Sequence, residues 1–398
     1  MNFLFILNTF YPNIGGVENA TLEICKRLKK RGHKVYVLTT SKSNFYPNNE
    51  KLAPVEEIDG IQIFRVRSSL RTIGMPLKAL YLATKFKIDY NYVTDFWGFT
   101  ALFLKKTFRI PFVYILNGYN PICPRGTLNH EGLCRGFEFV KCFKQCRRFS
   151  LRFFCSLFIT RLLLREADPV IAISKSVQNA YRSHFGRIPL KLLYYGVDQQ
   201  KFRPFDIRAS DLHYNINDLD KIILFFGRFI KERGIIEFLL HFKEQFTQVQ
   251  CKLIIVGLGS TVSEIRSEIN TLELQKDVIL TGPLRNQDLV QVINLSNIVI
   301  LPIQFPEPLS LVVLEAMACG KPVVSFALGG VRELIDHAKT GYILQPNDWN
   351  GFIDKINKLL KNIELATSLG DAGRLKMEKY FNWEIFIEKF LKLLTRNG

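Results

Sequence analysis

The sequence predicts an α/β protein made of two doubly wound, parallel-sheet domains. Three observations carry the prediction. The chain has 398 residues, more than one hydrophobic core usually serves. Its opening reads strand, helix, strand, the unit from which parallel sheets are wound. A second strand–helix series begins near residue 221, after a polar stretch that lacks periodicity.

Residues 3–8, FLFILN, form a short apolar run suited to a buried parallel strand. The loop TFYPNIGG follows. Val17, Ala20, Ile24 and Leu28 then recur at helical spacing, with basic residues in the last turns and Gly32 just past the end. HKVYVLT is the next strand, and residues 111–118 and 169–174 read as later strands of the same sheet. Residues 196–220 read as the linker. Strands 221–228, 251–257, 277–282, 298–302 and 321–326 build the second sheet, with helical patterns between them. The expected division is 1–205, 206–378 and a terminal segment 379–398. In that segment Trp383, Phe386, Phe390 and Leu394 share one helical face, either packing back toward the first domain or forming an ordinary core helix. The two domains are expected to face each other across a cleft.

Apolar residues make up 47% of the chain, enough for two cores and against disorder. No run approaches the roughly twenty apolar residues that span a bilayer. The start, MNFLFILNTFYPN, reads as a first strand and not as a signal peptide, so the expected location is cytoplasmic. The net charge of +18 is uneven: residues 1–205 hold 32 Lys and Arg against 13 Asp and Glu, and the remainder is close to neutral. Such a basic half points to an anionic partner. No zinc-finger spacing or RNP-type aromatic signature accompanies it, so a membrane surface is favoured over nucleic acid.

Ligands of open α/β sheets bind beyond the carboxyl ends of the strands. Gly15 and Gly16 follow the first strand at a helix start, where backbone N–H groups approach phosphate or sugar closely. Gly227 and Arg228 follow ILFF, with Lys231 and Arg233 close behind, a cation set suited to a diphosphate. Gly257 opens the GLGS stretch, read as a tight turn. EPLSLVVLEAMACGKPVV places Glu307 eight residues before Glu315. Each feature alone has a plain structural reading as a turn, a solvated helix start or a pair of surface acids. Their coincidence at corresponding strand ends favours a site.

These pieces carry a resemblance. FYPNIGGVE, YYGVDQQKFRP, FFGRFIKERG, LIIVGLGS, EPLSLVVLEAMACGKPVVSFALGGVRELI and TGYIL, in this order, resemble the retaining glycosyltransferases of GT-B architecture, the family 4 or group 1 type. The resemblance spans most of the chain and is most specific at the two glutamates. It implies that Glu307 lies by the donor sugar and the reacting centre, and that Glu315 accepts from the donor ribose. It implies that Leu309, Ser310 and Leu311 offer backbone N–H groups at a helix start. Arg228 and the cation before Gly234 would hold the departing diphosphate. The family usually has Lys immediately before that glycine. Here Arg233 stands there, with Lys231 two residues earlier.

The donor implied is a UDP- or GDP-sugar, and the acceptor a lipid-linked saccharide of surface-polysaccharide assembly at the cytoplasmic membrane face. A soluble acceptor is the alternative. No protein nucleophile is evident, no catalytic metal is expected, and no cofactor is required. Family members often carry His after the strand that here ends YILNG, whereas this chain has Asn117, which hydrogen-bonds but is no general base. That departure raises a second alternative, a catalytically degenerate sugar-nucleotide-binding partner.

Two further segments are open. Cys123, Cys134, Cys142 and Cys146 lie in one loop with His130 between them, spaced as a possible structural zinc site or as reduced thiols. Residues 144–165 mix Arg147, Arg148, Arg152, Arg161 and Arg165 with Phe and Leu. They read either as a basic amphipathic helix on anionic lipid or as a core helix with one basic face.

Overall fold

A computed structural model of the protein describes residues 1–13, 15–41, 52–94, 96–123, 126–128, 151–212, 214–247, 250–284 and 286–395. The chain forms two units. The first is Met1–Tyr195 with Trp383–Gly398, and the second is Gly196–Asn382.

In the first unit the elements run β1 (Asn2–Ile6), α1 (Gly16–Lys30), β2 (Lys34–Thr40), β3 (Val55–Ile58), β4 (Ile61–Val66), α2 (Arg71–Lys85), β5 (Tyr90–Val93) and α3 (Gly98–Phe108). They continue as β6 (Phe112–Leu116), α4 (Leu151–Glu166), β7 (Val170–Ala172), α5 (Lys175–Phe185) and β8 (Leu190–Leu192). The sheet order is β3-β4-β2-β1-β5-β6-β7-β8. Every pairing is parallel except β3 with β4.

Helix α1 ends where the sequence places its stop. Gly32 takes φ +82°, its N–H donates to the Lys29 carbonyl, and the His33 N–H reaches back to Leu28. This paired closure of the last carbonyls needs a left-handed residue, which glycine adopts without a Cβ penalty.

The second unit runs β9 (Lys221–Phe229), α6 (Ile235–Gln245), β10 (Cys251–Gly259), α7 (Val262–Thr271), β11 (Val278–Gly282), α8 (Asn286–Leu295) and β12 (Ile298–Leu301). It continues as α9 (Leu311–Ala318), β13 (Val323–Phe326), α10 (Val331–Leu334), β14 (Gly341–Leu344), α11 (Trp349–Lys361) and α12 (Ile363–Tyr380). Its sheet is parallel throughout, in the order β11-β10-β9-β12-β13-β14. The strands are near-continuous buried apolar runs, as sheets covered on both faces require.

The chain divides at Tyr195/Gly196, not at 205/206. The reason is local bonding. Val197 bridges to Asn382, and Arg374 of α12 donates to the carbonyls of Phe202 (2.7 Å) and Gln199 (3.5 Å). These bonds hold the stretch read as the start of the linker to the second unit.

The last helix, α13 (Trp383–Thr395), belongs to the first unit. Trp383, Phe386, Phe390 and Leu394 are all buried. Phe386 and Trp383 both meet the Tyr195 ring at 5.5 Å, and Phe390 stands 6.3 Å from Tyr92 and 6.4 Å from Phe3. Arg31, at the C-cap of α1, pairs with Glu384 at 2.9 Å.

Candidate active site

Four stretches of the second unit converge at the carboxyl ends of β9 and β12. The first is the end of β9 with the short 3-10 turn Lys231–Arg233. Gly234 closes that turn at φ +71°, and a Cβ there would sit 2.1 Å from the Pro302 carbonyl oxygen. Only glycine lets the turn lie against the loop after β12. The Gln304 N–H donates to the Glu232 carbonyl at 2.8 Å and pins the two loops together.

That second loop carries Glu307. Its backbone is held by the pair Gly329–Gly330: the Gly330 N–H donates to the Glu307 carbonyl at 2.7 Å. A Cβ on Gly329 would come 2.3 Å from the same oxygen, and one on Gly330 would come 2.2 Å from that of Pro308. The two glycines form a backbone clamp that sets where the Glu307 carboxylate points.

The side chains meet there. Arg233 donates from Nη2 to Oε1 of Glu307 at 2.6 Å, and both side chains are buried. The guanidinium also lies 5.9 Å from the Phe305 ring centroid. This leaves Nε and Nη1 of Arg233 and Oε2 of Glu307 buried without a partner. Native interiors seldom leave such groups unpaired, and a ligand is a standard reason for an exception. Two donors beside one acceptor suit a phosphate next to a hydroxyl-bearing sugar.

Helix α9 starts beside them. Ser310 is its N-cap, with Oγ accepting from the Val313 N–H at 3.4 Å. The first-turn N–H groups, including that of Leu311, have no acceptor within the helix, which makes the end attractive to anions. Leu309 and Ser310 are buried, and Leu311 is partly open. One turn on, Glu315 is partly buried, and burial raises its carboxyl to about 7, against an opposing pull from Lys201. A group that titrates near neutrality accepts from ribose hydroxyls best when ionised.

Arg228 and Lys231 are exposed, with no ion pair to either among the described residues. Gly257 has a packing duty: a Cβ there would lie 1.9 Å from the Gly227 carbonyl oxygen of the neighbouring strand. The expected turn at GLGS is corrected by the structure, because β10 stays paired to β9 through Gly259 and the turn begins at Ser260.

The remaining candidates lie in the first unit. Gly15 caps α1 in an extended conformation, φ −175°, and Gly16 opens the helix beyond β1. Asn117 follows β6. Its Oδ1 accepts from the Tyr195 hydroxyl, and its Nδ2 is buried without a partner. Sequence reasoning missed Tyr195, Phe305, Lys201 and the Gly329–Gly330 clamp. Only the paired glycines after a strand gave a local signal.

Cys123 is buried and in no disulfide, while Cys134, Cys142 and Cys146 lie outside the described residues. No group of three His, Cys, Asp or Glu placed to hold a metal occurs among the described residues. Of the basic helix expected over 144–165, the structure describes α4. Phe153, Thr160, Leu163 and Leu164 are buried there, while Phe158, Arg161 and Arg165 face outward. Arg147 and Arg148 lie outside the described residues, as does the side chain of Arg152.

Two family models match in tandem: "Glycosyltransferase Family 4" over residues 14–201 and "Glycosyl transferases group 1" over 207–376. The chain belongs to the family 4 glycosyltransferases. Among curated relatives, this glycosyltransferase is 27% identical over 391 residues to N-acetyl-alpha-D-glucosaminyl L-malate synthase of Bacillus anthracis, covering 96% of this chain and 94% of that protein. It is 24% identical to O-antigen chain mannosyltransferase C of Escherichia coli, covering 99% and 98%. Among solved structures it resembles Anabaena HepE in complex with UDP-glucose, with a TM-score of 0.77, 20% identity and full coverage of both chains. The glycosyltransferase thus has the two-domain GT-B fold.

Proposed function

We propose that the protein moves a hexosyl unit, with retention, from a nucleotide-diphosphate sugar to a lipid-linked saccharide in surface-polysaccharide assembly at the cytoplasmic face of a membrane. The observation that carries the donor half is the buried Arg233–Glu307 pair with its three unpartnered polar atoms. Arg233 Nε and Nη1 would turn to the diphosphate, joined by Arg228 and Lys231. Oε2 of Glu307 would accept from a sugar hydroxyl, and Glu315 from the ribose. The UDP-glucose complex of the HepE neighbour supports a nucleotide-sugar donor. The name of the Escherichia coli relative supports a polysaccharide product.

In the proposed reaction the bond between the anomeric carbon and the β-phosphate oxygen breaks, and the nucleotide diphosphate keeps the electron pair. The acceptor hydroxyl bonds to the same face of that carbon, and its proton passes to the leaving phosphate. The cations stabilise charge that grows as the diphosphate departs, so they act more strongly on the transition state than on the bound donor. This route needs neither a protein nucleophile nor a metal ion. The Asn117 amide would donate from Nδ2 to a sugar or phosphate oxygen.

A soluble acceptor is the second reading, favoured by the small-molecule product in the name of the Bacillus anthracis relative. The decisive experiment is a thermal-shift panel with UDP, GDP, ADP and their common sugars, on wild type and Glu315→Gln. A shift with one nucleotide that the variant weakens supports the donor site. No shift with any of them overturns it. Product formation on lipid-linked against free saccharide then separates the two acceptors, and the anomeric configuration of the product tests retention.

A further inference from the structure

Helix α2 is apolar on two sides. Met75, Ala79, Leu82 and Ala83 are buried within the first unit. Leu70, Ile73, Leu77 and Tyr81 point the other way at helical spacing, with exposures of 61%, 72%, 60% and 47%. Single exposed apolar residues are ordinary, but four in one row along a helix form a patch.

The charge on the helix itself is of one sign: it carries Arg71, Lys78 and Lys85 and no Asp or Glu. Glu56 and Glu57 of β3 share a surface cleft with Lys85, and Glu56 pairs with the buried Arg65. Two of the cations flank the aromatic residue: Lys78 Nζ stands 4.9 Å from the Tyr81 ring centroid, and Lys85 Nζ donates to the Tyr81 hydroxyl at 3.0 Å. The neighbouring helix α3, which packs on α2, adds exposed Phe103 and Phe108 and the exposed Arg109.

We infer that this outer face of α2 is an interfacial seat for an anionic lipid bilayer. A second copy of the chain is the other occupant with matching apolar chemistry. A two-fold contact would press the same cationic surface against itself, and like charges facing one another at an interface are repelled. An anionic leaflet offers the opposite charge together with an apolar layer for Ile73 and Leu77. Tyr81 between two lysines has the form of a side chain at headgroup level, with an apolar ring and a polar tip. No helix among the described residues is long and apolar enough to cross a membrane, so the contact is one that lies in the interface plane. The seat deepens the lipid-linked-acceptor reading proposed above and rests on it.

The test is co-sedimentation of the full chain with vesicles of phosphatidylcholine alone and of phosphatidylcholine mixed with phosphatidylglycerol. Wild type is expected to bind the mixed vesicles and to be released by salt. The triple change Ile73→Ser, Leu77→Ser, Tyr81→Ser is expected to weaken binding by about tenfold or more. Lys78→Gln with Lys85→Gln is expected to reduce the preference for the anionic lipid. All these positions are at the surface, and an unchanged melting midpoint confirms folding. Wild type that fails to sediment overturns the inference. So does a triple variant that binds as well as wild type, and so does dimerisation through these residues without vesicle binding. The donor reading fails separately: vesicle binding without any nucleotide-induced thermal shift keeps the seat and removes the transferase site, and the converse result removes the seat alone.

Discussion

Arg233 and Glu307, separated by 74 positions in the chain, meet as a buried ion pair at 2.6 Å, each with polar atoms left over. A pair of this kind has two consequences that can be separated by mutation. Removing one partner strands a buried charge, which costs about 3–5 kcal/mol. Arg233→Ala is therefore expected to lower the melting midpoint and abolish turnover together. The double change Arg233→Met, Glu307→Leu is expected to recover most of the stability and none of the activity. Recovered turnover in the double variant would show that the pair is structural only.

Glu315 gives a pH prediction. Burial raises its carboxyl from 4.5 to about 7, so the folded state holds a proton that the unfolded chain has released. The resulting contribution to stability is complete below about pH 4.5 and disappears as pH rises through about 7. Donor binding runs the other way, because ribose hydroxyls need the ionised carboxylate. Nucleotide affinity is expected to rise between about pH 6 and 8. Glu315→Gln should flatten both profiles, and a binding profile that keeps its slope in the variant removes Glu315 from the ribose.

Asn117 is tied to Tyr195 by the hydroxyl-to-carbonyl bond. Asn117→Ala leaves the buried phenol without that acceptor, at a cost of about 1–3 kcal/mol. If the amide serves the reaction by donating from Nδ2, Asn117→His is expected to give no rise in turnover. A gain on introducing His would instead mark the native site as impaired for catalysis.

The glycine clamp predicts a positional effect on activity. Gly329→Ala forces a side chain into φ +61° and toward the Glu307 carbonyl oxygen, 2.3 Å away. Left-handed backbone alone costs a non-glycine residue about 1–2 kcal/mol. The expected result is a drop in kcat larger than the loss of folded protein explains, measured on the fraction that still melts cooperatively. A variant with normal kcat per folded molecule would show that the clamp does not position the carboxylate.

Much of this architecture was legible. Long apolar runs such as those in β9 and β10 announce buried parallel strands, and Gly32 marks a helix end by the conformation it alone takes easily. β3 escaped because it is a half-exposed edge strand with two glutamates. β5 escaped because Asn91 interrupts its four residues, and β8 because three residues carry no period. At the site, Arg233 and Glu307 were each picked out from their own loops, but nothing local in either loop states that they touch. The outward row on α2 was also unread, because apolar residues at helical spacing look the same in sequence whether they face a core or the outside. The close approach of Gly257 to the Gly227 carbonyl was not legible either, because the pairing of β10 with β9 brings together residues thirty positions apart.

The return of α13 to the first unit makes that unit discontinuous in sequence, and this sets an order of events during synthesis. The ring cluster of Phe3, Tyr92 and Tyr195 lacks Trp383, Phe386 and Phe390 until residues 383–395 emerge from the ribosome. The second unit, continuous from Gly196 to Asn382, has all its strands earlier. Contrary to the usual N-to-C order of domain folding, the later-encoded unit is expected to become protease-resistant first. A nascent chain arrested after residue 382 would display the first unit as a half-finished core awaiting its closing piece.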